Sequence, residues 1–134
     1  LLVMRDRDTR AVRAWCLPNK GADLAETVDR AVAGVHSLGY RGRVLIRCDG
    51  EPALGALRNA ITKAMPDGAT PVITPVGESA SNGGIEQAVR TTKGLLRVHL
   101  MALEAKIGAR FPSGHPVLTW LVEHVSDILS KYMV

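Results

Sequence analysis

A chain of 134 residues supports one sizeable core and is too short for two, and no apolar run approaches the ~18 residues of a membrane span. Hydrophobic residues are 46% and charged residues 22%, the balance of a soluble globular protein, and two cysteines exclude a disulfide-built scaffold. A net charge of +4 favours a polyanionic partner, and 4% aromatics predict an aliphatic core.

Leu1 to Met4 is apolar and runs into the charged turn Arg5-Asp6-Arg7-Asp8-Thr9-Arg10; Ala11 to Leu17 reads as a second strand stopped by Pro18-Asn19. The two pieces predict a β-hairpin. Asp23 is the expected N-cap of a helix in which Leu24, Thr27, Val28, Ala31, Val32, Val35 and Leu38 recur at helical spacing, closed by Gly39. Arg43 to Asp49 contains Val44-Leu45-Ile46 in succession, the pattern of a central strand covered on both faces.

Pro52 to Met65 is an expected helix, with Pro66 just past its end. Ala69 to Val76 carries two prolines and is expected as a short or edge strand. Gly77 to Gly84 reads as a loop, Ile85 to Ile107 as a long helix, Gly108 to Pro116 as a linker and Val117 to Val134 as a last amphipathic helix. A hairpin followed by βαβ alternation predicts an α/β domain of three layers, a mixed sheet with helices on its faces. Leu1-Leu2 in place of an initiating Met reads as an excerpt, with one more strand expected upstream.

Cys16 and Cys48 lie in apolar stretches and read as buried free thiols. His36, His99, His115 and His124 are scattered without zinc-site spacing, so no structural metal is expected. There is no phosphate-binding Gly-rich loop and no nucleophile elbow. Trp15 and Trp120 read as packing residues.

Two carboxylates stand out. Asp49 ends the expected central strand, where open α/β sheets place their sites, although an Asp before Gly50 and a helix is also a common turn or cap. Glu86 follows Ser81-Asn82-Gly83-Gly84 at the expected start of the long helix, where a carboxylate also suits the helix dipole. At about 100° per residue, Glu86, Arg90, Lys93 and Arg97 fall in one narrow stripe beside an apolar stripe of Ile85, Val89, Leu96, Leu100, Leu103 and Ile107. A carboxylate followed by cations is either a solvated face with an i, i+4 ion pair or a metal ligand beside phosphate-gripping groups.

Asp49 and Glu86 are separated by 36 intervening residues, and the second stands in Ser79-Ala80-Ser81-Asn82-Gly83-Gly84-Ile85-Glu86-Gln87. This pattern resembles the catalytic core of retroviral and LTR-retrotransposon integrases. These carry an Asp–Asp–Glu triad whose Glu follows a Ser-Asn-Gly type motif and starts a long helix. Val44 to Glu51 looks like the strand of their second Asp, and His115-Pro116-Val117-Leu118-Thr119-Trp120-Leu121 looks like their closing segment. The resemblance covers nearly the whole chain, as one core domain over 1–134.

The resemblance implies an RNase H-like fold, a five-stranded mixed sheet flanked by helices, with the first strand absent from this chain and with it the first catalytic Asp. Asp6 and Asp8, in the hairpin turn, do not take that place. It implies metal-dependent 3′-end processing and strand transfer that insert element DNA into target DNA. Asp49 and Glu86 would be the catalytic residues and would hold Mg²⁺ or Mn²⁺, two ions in the complete site. Lys93 and Arg90 would contact DNA phosphates, and Asn82 and Gly83, in the loop before the helix, would meet DNA. Many relatives have a basic residue after the Glu, where this chain has Gln87.

Also implied are a homo-oligomer, with the helices Asp23–Leu38 and Val117–Val134 as candidate surfaces, action in the nucleus, and no membrane. A catalytically inactive or domesticated RNase H-like nucleic-acid-binding relative is the alternative, and an RNase H-like nuclease acting on RNA in hybrids is a third reading.

Overall fold

A computed structural model describes residues 1–16, 24–48, 52–73 and 79–132. It is mixed α/β, with four strands and four helices in the order β1 (Leu2–Arg5), β2 (Val12–Trp15), α1 (Leu24–Ser37), β3 (Val44–Cys48), α2 (Pro52–Ala64), β4 (Ala69–Ile73), α3 (Ser79–Ile107) and α4 (Pro116–Tyr132). No helix among the described residues is long and apolar enough to cross a membrane. The chain divides into two compact units, Leu1–Cys16 with Gly84–Val134, and Leu17–Gly83.

In the first unit β1 and β2 form the expected hairpin, antiparallel with Leu2 opposite Trp15 and Arg5 opposite Val12. The charged turn is built by Asp6. Its carboxylate accepts the Asp8 N–H at 3.2 Å and the Thr9 hydroxyl at 2.5 Å, and its carbonyl accepts the Arg10 N–H at 2.9 Å. Arg10 takes the left-handed conformation, φ 66°. Asp6 thus has a turn-forming role, as its position in the sequence suggests.

Helix α4 covers β2. Leu121, Val122, Val125, Ser126 and Leu129 are its buried residues, spaced as one helical face, and Val12, Ala14 and Trp15 are buried on the strand. The outer edge of β2 ends on a side chain. Ser130 Oγ accepts the Val12 N–H at 2.9 Å and donates to the Val12 carbonyl at 2.5 Å, while Arg13 donates to Ser130 Oγ at 3.0 Å and to the Val12 carbonyl at 3.1 Å. Arg13 also lies 3.6 Å from Asp127. The start of α4 is capped by His115, whose Nδ1 accepts the Val117 N–H at 3.1 Å, with Pro116 in the first helical position, where its missing N–H costs nothing.

In the second unit β3 and β4 run parallel, with Val44 opposite Ala69 and Cys48 opposite Ile73. The helix between them, α2, packs on both strands, and α1 packs on α2. Val28, Ala31 and Val35 of α1 and Ile61 of α2 are buried. Gly39, with φ 97°, ends α1 in the left-handed conformation that favours glycine. Pro71 lies within β4 opposite Ile46, in keeping with the short strand expected there.

Two expectations about the strands change. The described strands form two two-stranded sheets, β1-β2 and β3-β4, in place of one mixed sheet. β3 does not read as a strand covered on both faces, since its burial alternates and Leu45 is 73% exposed. An apolar run records the side chains a strand offers, and α2 covers one face of this pair.

The cysteines and one tryptophan also depart from expectation. Cys16 and Cys48 are half-buried free thiols, and Cys48 Sγ accepts a 3.7 Å contact from Arg58. Trp15 is buried as expected, but Trp120 is 57% exposed and stacks on His124 with ring centroids 4.7 Å apart.

Candidate metal and nucleic-acid site

Helix α3 carries most of the expected site. It begins at Ser79 and runs 29 residues, so Ser81-Asn82-Gly83-Gly84 is helical and the expected loop over Gly77–Gly84 is corrected for 79–84. Two adjacent glycines weaken a helix by roughly 1 kcal/mol each relative to alanine, which is why the sequence reads as a loop there. Gly84 lies beside the Arg5 guanidinium of β1. A Cβ at this position would fall 2.7 Å from Arg5 Nη1, the far end of a flexible side chain that can move aside.

The early start moves Glu86 to the eighth residue of α3, out of the first turn, which contains no acidic residue. Neither helix capping nor the terminal dipole explains it there, since both act within the first turn. Gly83 is exposed, with open space around it, and lies in the helix instead of a loop, as does the backbone of Asn82. The Asn82 side chain lies outside the described residues.

The expected stripe is present. Glu86, Arg90, Lys93 and Arg97 are all exposed, and the successive steps of four, three and four residues keep them on one line. Glu86 and Arg90 stand one turn apart, yet among the described residues no ion pair engages either of them. The carboxylate is therefore free of the partner that the solvated-face reading gives it.

The inward face of α3 is narrower than its apolar pattern. Ala88 and Thr92 are its buried residues, with Ile85, Val89, Leu96, Leu100 and Leu103 half-buried and Ile107 exposed. Thr92 satisfies its hydroxyl by donating to the Ala88 carbonyl at 2.7 Å. A search for large apolar residues passes over both positions, because one is small and the other polar.

Asp49, directly after β3, lies outside the described residues, and β3 and Glu86 belong to different compact units. Among the described residues no group of three or more His, Cys, Asp or Glu side chains gathers around a point that would hold a metal ion. His99 and His124 meet edge to face, centroids 6.2 Å apart, and His99 Nδ1 lies 2.9 Å from the Leu95 carbonyl. Comparison of the chain with known protein families, curated proteins and solved structures finds no match.

Proposed function

We propose that this chain is the core of an integrase-type polynucleotidyl transferase of the retroviral or LTR-retrotransposon kind, RNase H-like in fold. The observation that carries the reading is the exposed line on α3 that starts with the unpaired carboxylate of Glu86 and continues through Arg90 and Lys93, set in a Ser-Asn-Gly-x-x-Glu-like context. The element order, strands alternating with helices and two small sheets β1-β2 and β3-β4, is compatible with an α/β fold.

The donor chemistry fits the metal. Carboxylate oxygens are hard ligands suited to Mg²⁺ or Mn²⁺, and Glu86 is exposed and engaged by no cation among the described residues. Asp49 and Glu86 would hold the ions, which neutralise charge on the phosphodiester and activate the attacking oxygen. Arg90 and Lys93, about 6 and 10.5 Å along the helix from Glu86 at about 1.5 Å per residue, would grip phosphates and keep the scissile bond near the carboxylates. The side chain of Asn82 and the backbone at Gly83 would meet the DNA at the same end of α3. The substrates would be element DNA ends and target DNA, in the nucleus.

The test is a joining assay with the longest natural chain containing these residues. A labelled duplex end should join to plasmid DNA with Mg²⁺ and not with chelator. Hydrolysis of the RNA strand of a hybrid without DNA joining would replace this reading with an RNase H-type nuclease. DNA binding that ignores both metal and chelator, without joining, would replace it with an inactive nucleic-acid-binding relative.

A further inference from the structure

The histidines are scattered in the sequence, and folding brings two of them together. His99 on α3 and His124 on α4 stand 25 positions apart in the chain, a separation with no zinc-site pattern in it. In the structure their rings meet edge to face. Both side chains are half-buried, and both helices belong to the same compact unit over these residues.

The hydrogen bonding of each ring decides what it can do. His99 Nδ1 lies 2.9 Å from the carbonyl of Leu95, one turn earlier. A carbonyl oxygen only accepts, so Nδ1 carries the hydrogen and Nε2 of the neutral ring keeps a bare lone pair. Among the described residues nothing donates to that nitrogen. A bond from one ring nitrogen to a backbone carbonyl is the device that fixes tautomer and orientation in metal-binding histidines and makes the other nitrogen a better donor of its lone pair. His124 makes no hydrogen bond or ion pair among the described residues. Its ring is held by stacking on Trp120, 10° from parallel with centroids 4.7 Å apart. No hydrogen bond joins the two histidines, so both rings are oriented while their free nitrogens stay unspent. His115 differs, since its Nδ1 is used in accepting the Val117 N–H.

The separation of the rings admits a shared ion. An ion bonded to one nitrogen of each ring at about 2.0–2.1 Å stands roughly 3 Å from each centroid, which puts the centroids about 5 Å apart at a tetrahedral angle and about 6.4 Å apart when the rings lie opposite. The observed 6.2 Å lies inside that range, at its wide end. Imidazole nitrogen suits Zn²⁺ and its neighbours in the first transition row, whereas Mg²⁺ takes hard oxygen ligands. Two protein ligands leave the remaining positions of the ion to water, so the site is an exchangeable clip and not the closed four-ligand site of a zinc finger.

We propose that His99 and His124 form a two-histidine Zn²⁺ site that ties α3 to α4, with Nε2 of His99 as one ligand. It uses other residues, another donor atom and another ion than the carboxylate site proposed above, and it applies equally to a chain that joins no DNA.

The test is long-range ¹H–¹⁵N NMR of the imidazole rings of the 134-residue chain, titrated with Zn²⁺, with isothermal titration calorimetry alongside. One equivalent of Zn²⁺ should move Nε2 of His99 and a ring nitrogen of His124, while His36 and His115 stay in place. Mg²⁺ at the same concentration should move none of them, which separates this site from the one assigned to Glu86. His99→Gln and His124→Gln, each with unchanged circular dichroism, should weaken Zn²⁺ binding at least about tenfold. Ring nitrogens of His99 and His124 that stay in place at saturating Zn²⁺ overturn the proposal in the wild type alone, whatever the variants do. Zn²⁺ affinity that survives either substitution overturns it too, as does a shift spread evenly over all four histidines, which marks an adventitious ion only.

Discussion

Removing the two cations assigned to phosphate contact, Arg90→Ala together with Lys93→Ala, should change the salt dependence of DNA binding by a calculable amount. Both residues are exposed on α3, so their loss leaves the core intact. Three helical residues separate them by about 4.5 Å along the axis, and one DNA strand presents a phosphate about every 3.4 Å of its axis. The long, flexible Arg and Lys side chains accommodate the difference, so each can neutralise one of two neighbouring phosphates. Each neutralised phosphate contributes about −0.9 to the slope of log Kobs against log salt on duplex DNA, so the double variant should flatten the slope by about 1.8. Between 50 and 200 mM salt, two contacts account for roughly a twelvefold loss of affinity that the variant should no longer show. Fluorescence anisotropy with a labelled duplex end, titrated at four or more salt concentrations, measures this directly. A slope that stays at the wild-type value would refute the assignment, even if affinity at one salt concentration fell.

Three further predictions concern the framework that carries the site. Ser130→Ala removes the acceptor of the buried Val12 N–H and leaves its carbonyl only the 3.1 Å bond from Arg13, and should cost about 1–3 kcal/mol in urea unfolding; no change in midpoint would show that the Val12 N–H is satisfied without Ser130. Val125 has 0% exposure, so Val125→Ala should cost about 2–3 kcal/mol from two lost methyl groups and the cavity left behind, read by the same unfolding curve. Gly39→Ala meets no atom within 4 Å at a φ of 97°, so its cost should be backbone strain alone, about 1–2 kcal/mol. An unchanged stability there would mean that α1 can end in another conformation.

The local elements were legible because each has a local cause. The hairpin follows from two apolar stretches around the Asp6 turn, and α1, α2 and α4 from apolar periodicity bounded by proline and glycine. The line from Glu86 to Arg97 was legible for the same reason, since a stripe on a helix follows from spacing alone. The start of α3 was not, because Gly83-Gly84 favours a loop in isolation, while the helix runs through both from Ser79. The environment of β3 was not legible either. Val44-Leu45-Ile46 reads the same whether a second face is covered or open, and coverage is decided by residues far away in sequence.

The integrase-type reading stands most directly on the carboxylate of Glu86. Glu86→Gln keeps the size and hydrogen-bonding capacity of an exposed residue while removing the charge that a divalent ion requires. In the longest natural chain containing these residues, assayed with a labelled DNA end, plasmid target and Mg²⁺, the variant should lose strand joining while its circular dichroism and its DNA affinity in chelator stay at wild-type values. Strand joining at the wild-type rate in Glu86→Gln would contradict the account.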